Sequence, residues 1–133
     1  MQGRCLCGTV RYRVRGHAYH VTHCHCASCR LASGAAFVTW FTVRALELEW
    51  HGEVRHYQSS MGVQRGFCPR CGTTLSYRHE ASPDEIDLTA ATLNDPEQLQ
   101  PEDHSWTQDM LGWMRLLALL PRHRRHRQYD RSA

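Results

Sequence analysis

Lysine is absent from the chain: all 16 basic residues are arginine, set against 13 acidic residues and 10 histidines for a net charge of +3. An arginine fork grips carboxylates and phosphates through two parallel hydrogen bonds, so the bias weakly favours anionic partners, although a compositional habit explains it as well. Long apolar runs are also missing. The longest, near residues 35–43 and 116–120, fall far short of the roughly 20 residues that cross a bilayer, and no signal-peptide pattern opens the chain. No membrane partner is expected, and a reducing, cytoplasmic setting is the default expectation. Before residue 105 there is no helix-sized amphipathic period, and nowhere is there an internal repeat or an interdomain linker. The cysteine count is odd, seven, so a fully paired disulfide scaffold is excluded.

What is present reads as one small domain. The 133 residues are 41% apolar and 22% charged, enough to bury a modest core and too apolar for wholesale disorder. The reading places a domain over 1–121 and a flexible arginine-rich tail over 122–133. Within that tail Arg122-His123-Arg124-Arg125-His126-Arg127 has nothing to bury.

Period-two alternation dominates the domain. In residues 9–15, Val10, Tyr12 and Val14 alternate with Arg11, Arg13 and Arg15. Further strands are expected over 20–24, 36–43, 46–50, 54–58, 63–67, 73–77 and 86–90, joined as meandering antiparallel hairpins. Residues 27–32 fit a helical turn that Gly34 stops. A short amphipathic helix is expected over 109–120, despite Gly112 inside it. The fold class is therefore mainly β with little helix. Trp106 and Trp113 are read as core residues in preference to lids over a ligand.

The cysteines fall in three clusters: Cys5-Leu6-Cys7, Cys24-His25-Cys26-Ala27-Ser28-Cys29, and Cys68-Pro69-Arg70-Cys71-Gly72. Extended backbone sends residues i and i+2 to one side, so Cys5 and Cys7 present two sulfurs on a common face. A tight turn at Cys68–Cys71 aims two more at one point, and these four thiolates would make a closed tetrahedral zinc site. The competing reading is a redox dithiol at Cys68 and Cys71, which needs a βαβ setting that the strand-rich surroundings do not offer. Cys24, Cys26 and Cys29 can occupy three corners of a tetrahedron. Three protein ligands with an open position characterise catalytic zinc, while His23 or His25 could close the site, or the trio could hold no metal.

These blocks resemble the glutathione-dependent formaldehyde-activating (CENP-V/GFA) family: Gly3-Arg-Cys5-Leu-Cys7-Gly8, His23-Cys24-His-Cys26-Ala-Ser-Cys29-Arg30 with Gly34, and Phe67-Cys68-Pro-Arg-Cys71-Gly72. They span roughly residues 3–90 in the family's order. The resemblance implies a zinc-stapled β-tent-like domain with two zincs, one structural on Cys5, Cys7, Cys68 and Cys71 and one labile on Cys24, Cys26 and Cys29. It also implies a carbon–sulfur lyase that condenses glutathione, or another thiol, with formaldehyde or a related small aldehyde. In that reading Arg30 is the first candidate for holding a substrate carboxylate, with Arg65 and Arg70 behind it, and His25 is the candidate proton shuttle. Two other functions remain open: a non-enzymatic zinc module that binds a partner, and a thiol redox sensor. No aromatic platform is interleaved with basic residues, so nucleic acid is not an expected partner.

Overall fold

The computed structural model of the protein describes residues 1–127. The last part of the expected tail, residues 128–133, lies outside the described residues. Ten strands and one α-helix form in the order β1 (Gln2–Arg4), β2 (Arg11–Val14), β3 (Tyr19–Cys24), α1 (Ala27–Ser33), β4 (Val38–Arg44), β5 (Leu48–His51), β6 (Arg55–Ser60), β7 (Val63–Phe67), β8 (Thr74–His79), β9 (Glu85–Thr89) and β10 (Asp103–Ser105). The mainly β character with little helix is as the alternation predicts. Among the described residues no helix is long and apolar enough to cross a membrane.

The strands make two sheets. The smaller runs β1-β2-β5, and the larger runs β10-β3-β4-β9-β8-β7-β6. Period-two alternation decides what each face does. On β4, Phe41 and Val43 are fully buried and meet Val21, Ile86 and Leu88 of the same sheet and Tyr12 and Val14 of the smaller one. That apolar layer joins the two sheets. The intervening residues of β4 and β9, Trp40, Thr42 and Asp87, face away from this layer and line a cavity on the other side of the larger sheet.

Among the described residues every strand pair is antiparallel except one: β10 pairs with β3 in parallel, matching Asp103 to Thr22, His104 to His23 and Ser105 to Cys24. The meander of hairpins expected from the sequence omits this edge. A tight approach elsewhere fixes the turn after β5. Gly52 has φ +90, and a Cβ there would run into the backbone carbonyl of Thr9. Gly52→Ala is therefore expected to cost about 2 kcal/mol or more, through both strain and displacement of Thr9. Urea unfolding checks this, and an unchanged midpoint would count against the close approach.

Two expectations need correction. The helix expected over 109–120 is instead a 3₁₀ stretch, Gly112–Leu119. Short helices draw their stability from packing an apolar face, and here Leu116, Leu117, Leu119 and Leu120 remain more than half exposed, with nothing against them to favour α geometry. Trp106 and Trp113 are not core residues: they are 59% and 57% exposed. The chain has left the larger sheet after β10 by the time it reaches them.

Candidate metal centres and the adjoining cavity

Cys5 follows β1, Cys7 lies in the turn before β2, and Cys68 and Cys71 occupy the turn from β7 to β8. All four sulfurs lie within 4.8 Å of one another, with Cys5 Sγ 3.5 Å from Cys7 Sγ and Cys7 Sγ 3.9 Å from Cys68 Sγ. Tetrahedral zinc with bonds of about 2.3 Å needs sulfurs roughly 3.8 Å apart, so the donor set fits that ion. Backbone amides support the thiolates: Val10 N–H donates to Cys5 Sγ at 3.3 Å and Cys71 N–H to Cys68 Sγ at 3.5 Å. The Thr73 hydroxyl, 3.2 Å from Cys71 Sγ, is the main cause that draws that thiol down to about 5. Since β1 and β2 belong to one sheet and β7 and β8 to the other, the cluster ties the two sheets together.

The second cluster forms where β3 runs into α1. Cys24 ends the strand, Cys26 is the helix N-cap and Cys29 sits in the first turn. Their sulfurs also lie within 4.8 Å of one another. Cys26 Sγ accepts from Cys29 N–H at 3.3 Å, and Gly34, with φ +68, ends the helix as its sequence position predicts. Hydrogen bonding with Cys29 draws the Cys24 thiol down to about 7, and the same partner together with burial pushes Cys29 up. Among the described residues no fourth cysteine, histidine or carboxylate joins this group. His23 Nδ1 is engaged at 2.8 Å by Thr39 Oγ1. His25 turns the other way: it is 0% exposed, and its Nε2 lies 2.9 Å from His104 Nδ1. Burial lowers the pKa of both rings.

The trio forms one end of a cavity of about 480 Å³. Its floor is a row of directly paired residues crossing four strands: Thr42 opposite Asp87, Asp87 opposite Tyr77, and Tyr77 opposite Arg65. Arg65 is only 8% exposed. Its Nε donates to Ser59 Oγ at 3.0 Å, Nη1 lies 3.6 Å from Cys29 Sγ, and its guanidinium sits 5.2 Å from the Tyr77 ring centroid. Thr42 Oγ1 donates to Asp87 Oδ1 at 2.6 Å, and burial raises the Asp87 pKa. At the mouth stand His20 and Trp106, with φ +50 and +56, the only non-glycine residues with positive φ among those described. Strain of this kind gathers at ligand sites.

Of the three arginines considered from the sequence, the structure brings Arg65 to the trio. Arg30 is not among the cavity lining, and its Nε is buried without a partner. Arg70 is exposed beside the other cluster, reaching Thr9 Oγ1 at 3.4 Å. Sequence reasoning passed over Thr42, Tyr77 and Asp87. The alternation of Phe41 and Val43 with Trp40 and Thr42, and of Ile86 and Leu88 with Asp87, could have placed Thr42 and Asp87 on the face opposite the core.

A family model described as glutathione-dependent formaldehyde-activating enzyme matches residues 1–109. A Schizosaccharomyces pombe protein named an uncharacterized lyase is 28% identical over 78 residues, 59% of this chain and 57% of its own length, so the chain spans little more than half of that relative. A Halomonas elongata protein, whose name assigns it provisionally to glutathione-dependent formaldehyde activation, is 28% identical over 126 residues, covering 87% of this chain and 80% of its own. A crystal structure of a Rhodobacter sphaeroides protein superposes with a TM-score of 0.63 at 25% identity, over 79% of this chain and all of the other.

Proposed function

The chain belongs to the glutathione-dependent formaldehyde-activating family, and from that premise we propose that it is a carbon–sulfur lyase acting on the adduct of a thiol, glutathione first among candidates, with formaldehyde or a related small aldehyde. The observation that carries this reading is the convergence of three thiols, with no fourth ligand among the described residues, on one end of a cavity that also holds a buried arginine. In the synthetic direction the thiol loses its proton, the sulfur–carbon bond forms, and the carbonyl oxygen takes up a proton to become the hydroxyl of the adduct. Nothing is oxidised or reduced.

Cys5, Cys7, Cys68 and Cys71 would hold a structural zinc, and Cys24, Cys26 and Cys29 a second one. Zinc bound to the trio supplies Lewis acidity, which keeps a thiol ionised near neutral pH. The remaining work falls to the chain's own side chains. Arg65 sets a positive charge beside the ionised sulfur and is the cation the cavity offers to a substrate anion, the role considered for Arg30. Trp40 and Tyr77, their rings 6.2 Å apart, wall the cavity against water. The proton transfer expected of His25 would have to run through His104, since His25 itself is sealed from solvent. Free thiols at both clusters suit a reducing cytoplasm.

Exchange spectroscopy by NMR tests the reading. With zinc-loaded protein, interconversion of glutathione and formaldehyde with their S-hydroxymethyl adduct is expected to run at least tenfold faster than in its absence, an acceleration well within ordinary enzymatic range. Unchanged exchange with glutathione and with other small thiols would contradict it.

A further inference from the structure

Two side chains of opposite charge stand on the cavity floor without ionic partners. The ion pairs among the described residues are Arg15–Glu49 and Arg55–Glu53, and neither Asp87 nor Arg65 takes part in one. Nor do they neutralise each other: Tyr77 stands between them, and two strand spacings put their backbones about 10 Å apart. Arg65 finds negative charge in the cysteine trio. Asp87 has only the Thr42 hydroxyl.

Its surroundings make an ionised Asp87 more expensive still. Glu85, two residues earlier on β9, adds a second carboxylate, itself engaged by the Tyr19 hydroxyl at 2.9 Å. Asp109 lines the same cavity, and His20 at the mouth is the one lining histidine beside them. A neutral asparagine would accept the Thr42 bond equally well and avoid the desolvation of a carboxylate. Local rules broken in this way mark functional positions.

We propose that Asp87, oriented by Thr42, is an ammonium subsite, so that the thiol taken by this cavity is one that carries a protonated amine several bonds from its sulfur. The inference rests on the thiol-substrate reading above and sharpens it. The trio and Arg65 define the anionic-sulfur end of the cavity, and Asp87 defines a cationic end across the floor. A γ-glutamylcysteinyl compound has this arrangement, whereas an amino-terminal cysteine holds its amine too close to the sulfur to span the floor, and a simple alkane thiol or an N-acylated thiol lacks the charge. Specificity then comes from a half-buried charge left unpaired by the wrong ligand, which discriminates more sharply than extra apolar contact.

The test compares glutathione with its N-acetyl derivative, which keeps the sulfur and both carboxylates and loses only the ammonium. Both are titrated into zinc-loaded protein by tryptophan fluorescence, using Trp40 and Trp106 in the cavity wall, and both are assayed for exchange with formaldehyde. Acetylation is expected to weaken binding to the unmodified protein by about tenfold to a hundredfold, the range for a charge-assisted hydrogen bond, and to leave affinity for Asp87→Asn nearly unchanged. Equal affinity of the unmodified protein for the two thiols, or the same ratio in Asp87→Asn, would overturn the subsite. Failure of both thiols to bind or exchange would instead overturn the thiol-substrate reading and the subsite with it. Should Asp87→Asn fold poorly, the comparison of the two thiols in the unmodified protein decides alone.

Discussion

Cys71→Ser is expected to leave most of the chain unfolded at ambient temperature, with loss of the β-sheet circular dichroism signal and of a cooperative thermal transition. The reason is that a metal on the four cysteines would do work that the small apolar cluster around them does not do alone. The main core layer lies between the sheets around Phe41 and Leu88, while the far end of the β7–β8 hairpin is held to the smaller sheet by Cys5, Cys7, Cys68 and Cys71, by the Leu6 N–H bond to Thr73 Oγ1 at 3.0 Å, and by a small cluster of Val10 and Leu75 with Trp50 and Val54. Structural zinc contributes about 10–16 kcal/mol of binding free energy in small domains, comparable to or larger than the roughly 5–15 kcal/mol that a domain has in total. Serine cannot ionise at neutral pH, and its shorter side chain falls short of the metal. A Cys71→Ser protein that melts like the unmodified one would show that the staple is dispensable.

Cys26→Ser should behave in the opposite way, keeping the fold and losing the function. Cys26 is half-buried, and its structural duty is to cap α1 by accepting the Cys29 N–H. Serine is among the preferred N-cap residues, so the helix keeps its cap, and the thermal midpoint is expected to stay within about 4 °C, less than roughly 1 kcal/mol of stability. Removing one thiolate of three would leave a metal at the trio weakly held. Exchange of formaldehyde with thiol is expected to fall to near its rate without protein, more than loss of a supporting hydrogen bond typically costs a metal site. Equal damage to folding by Cys26→Ser and Cys71→Ser would abolish the division of labour between the clusters.

The grouping of the cysteines was legible in the sequence because ligand spacing is a local property. C-x-C on extended chain and C-x-x-C on a turn each bring two sulfurs together without help from the rest of the fold, and the structure gathers the seven cysteines into the same groups of four and three. The strands showed through as well, since Val10, Tyr12 and Val14 or Phe41 and Val43 bury one face at period two. Long-range pairing did not show. The β10 strand is three polar residues, Asp103, His104 and Ser105, with no periodicity; its position comes from hydrogen bonds such as His25 N–H to Ser105 O at 3.0 Å and Glu102 N–H to Val21 O at 2.8 Å. For the same reason His25 read as a candidate at the reacting centre, when its ring is buried against a histidine 79 positions later. Arg65 and Asp87 reach the cavity only because four strands align in register. Trp106 and Trp113 misled because large aromatic residues usually mark cores, and here one of them, Trp106, stands instead at a cavity mouth.

Zinc per chain, measured by elemental mass spectrometry on reduced protein, tests the central claim most directly. The account predicts two zincs in the unmodified chain and one in Cys26→Ser, with the zinc lost in Cys26→Ser being the one whose retention responds to glutathione. A single zinc in the unmodified chain, unaffected by Cys26→Ser or by glutathione, would contradict it and turn the cysteine trio into something other than a metal centre.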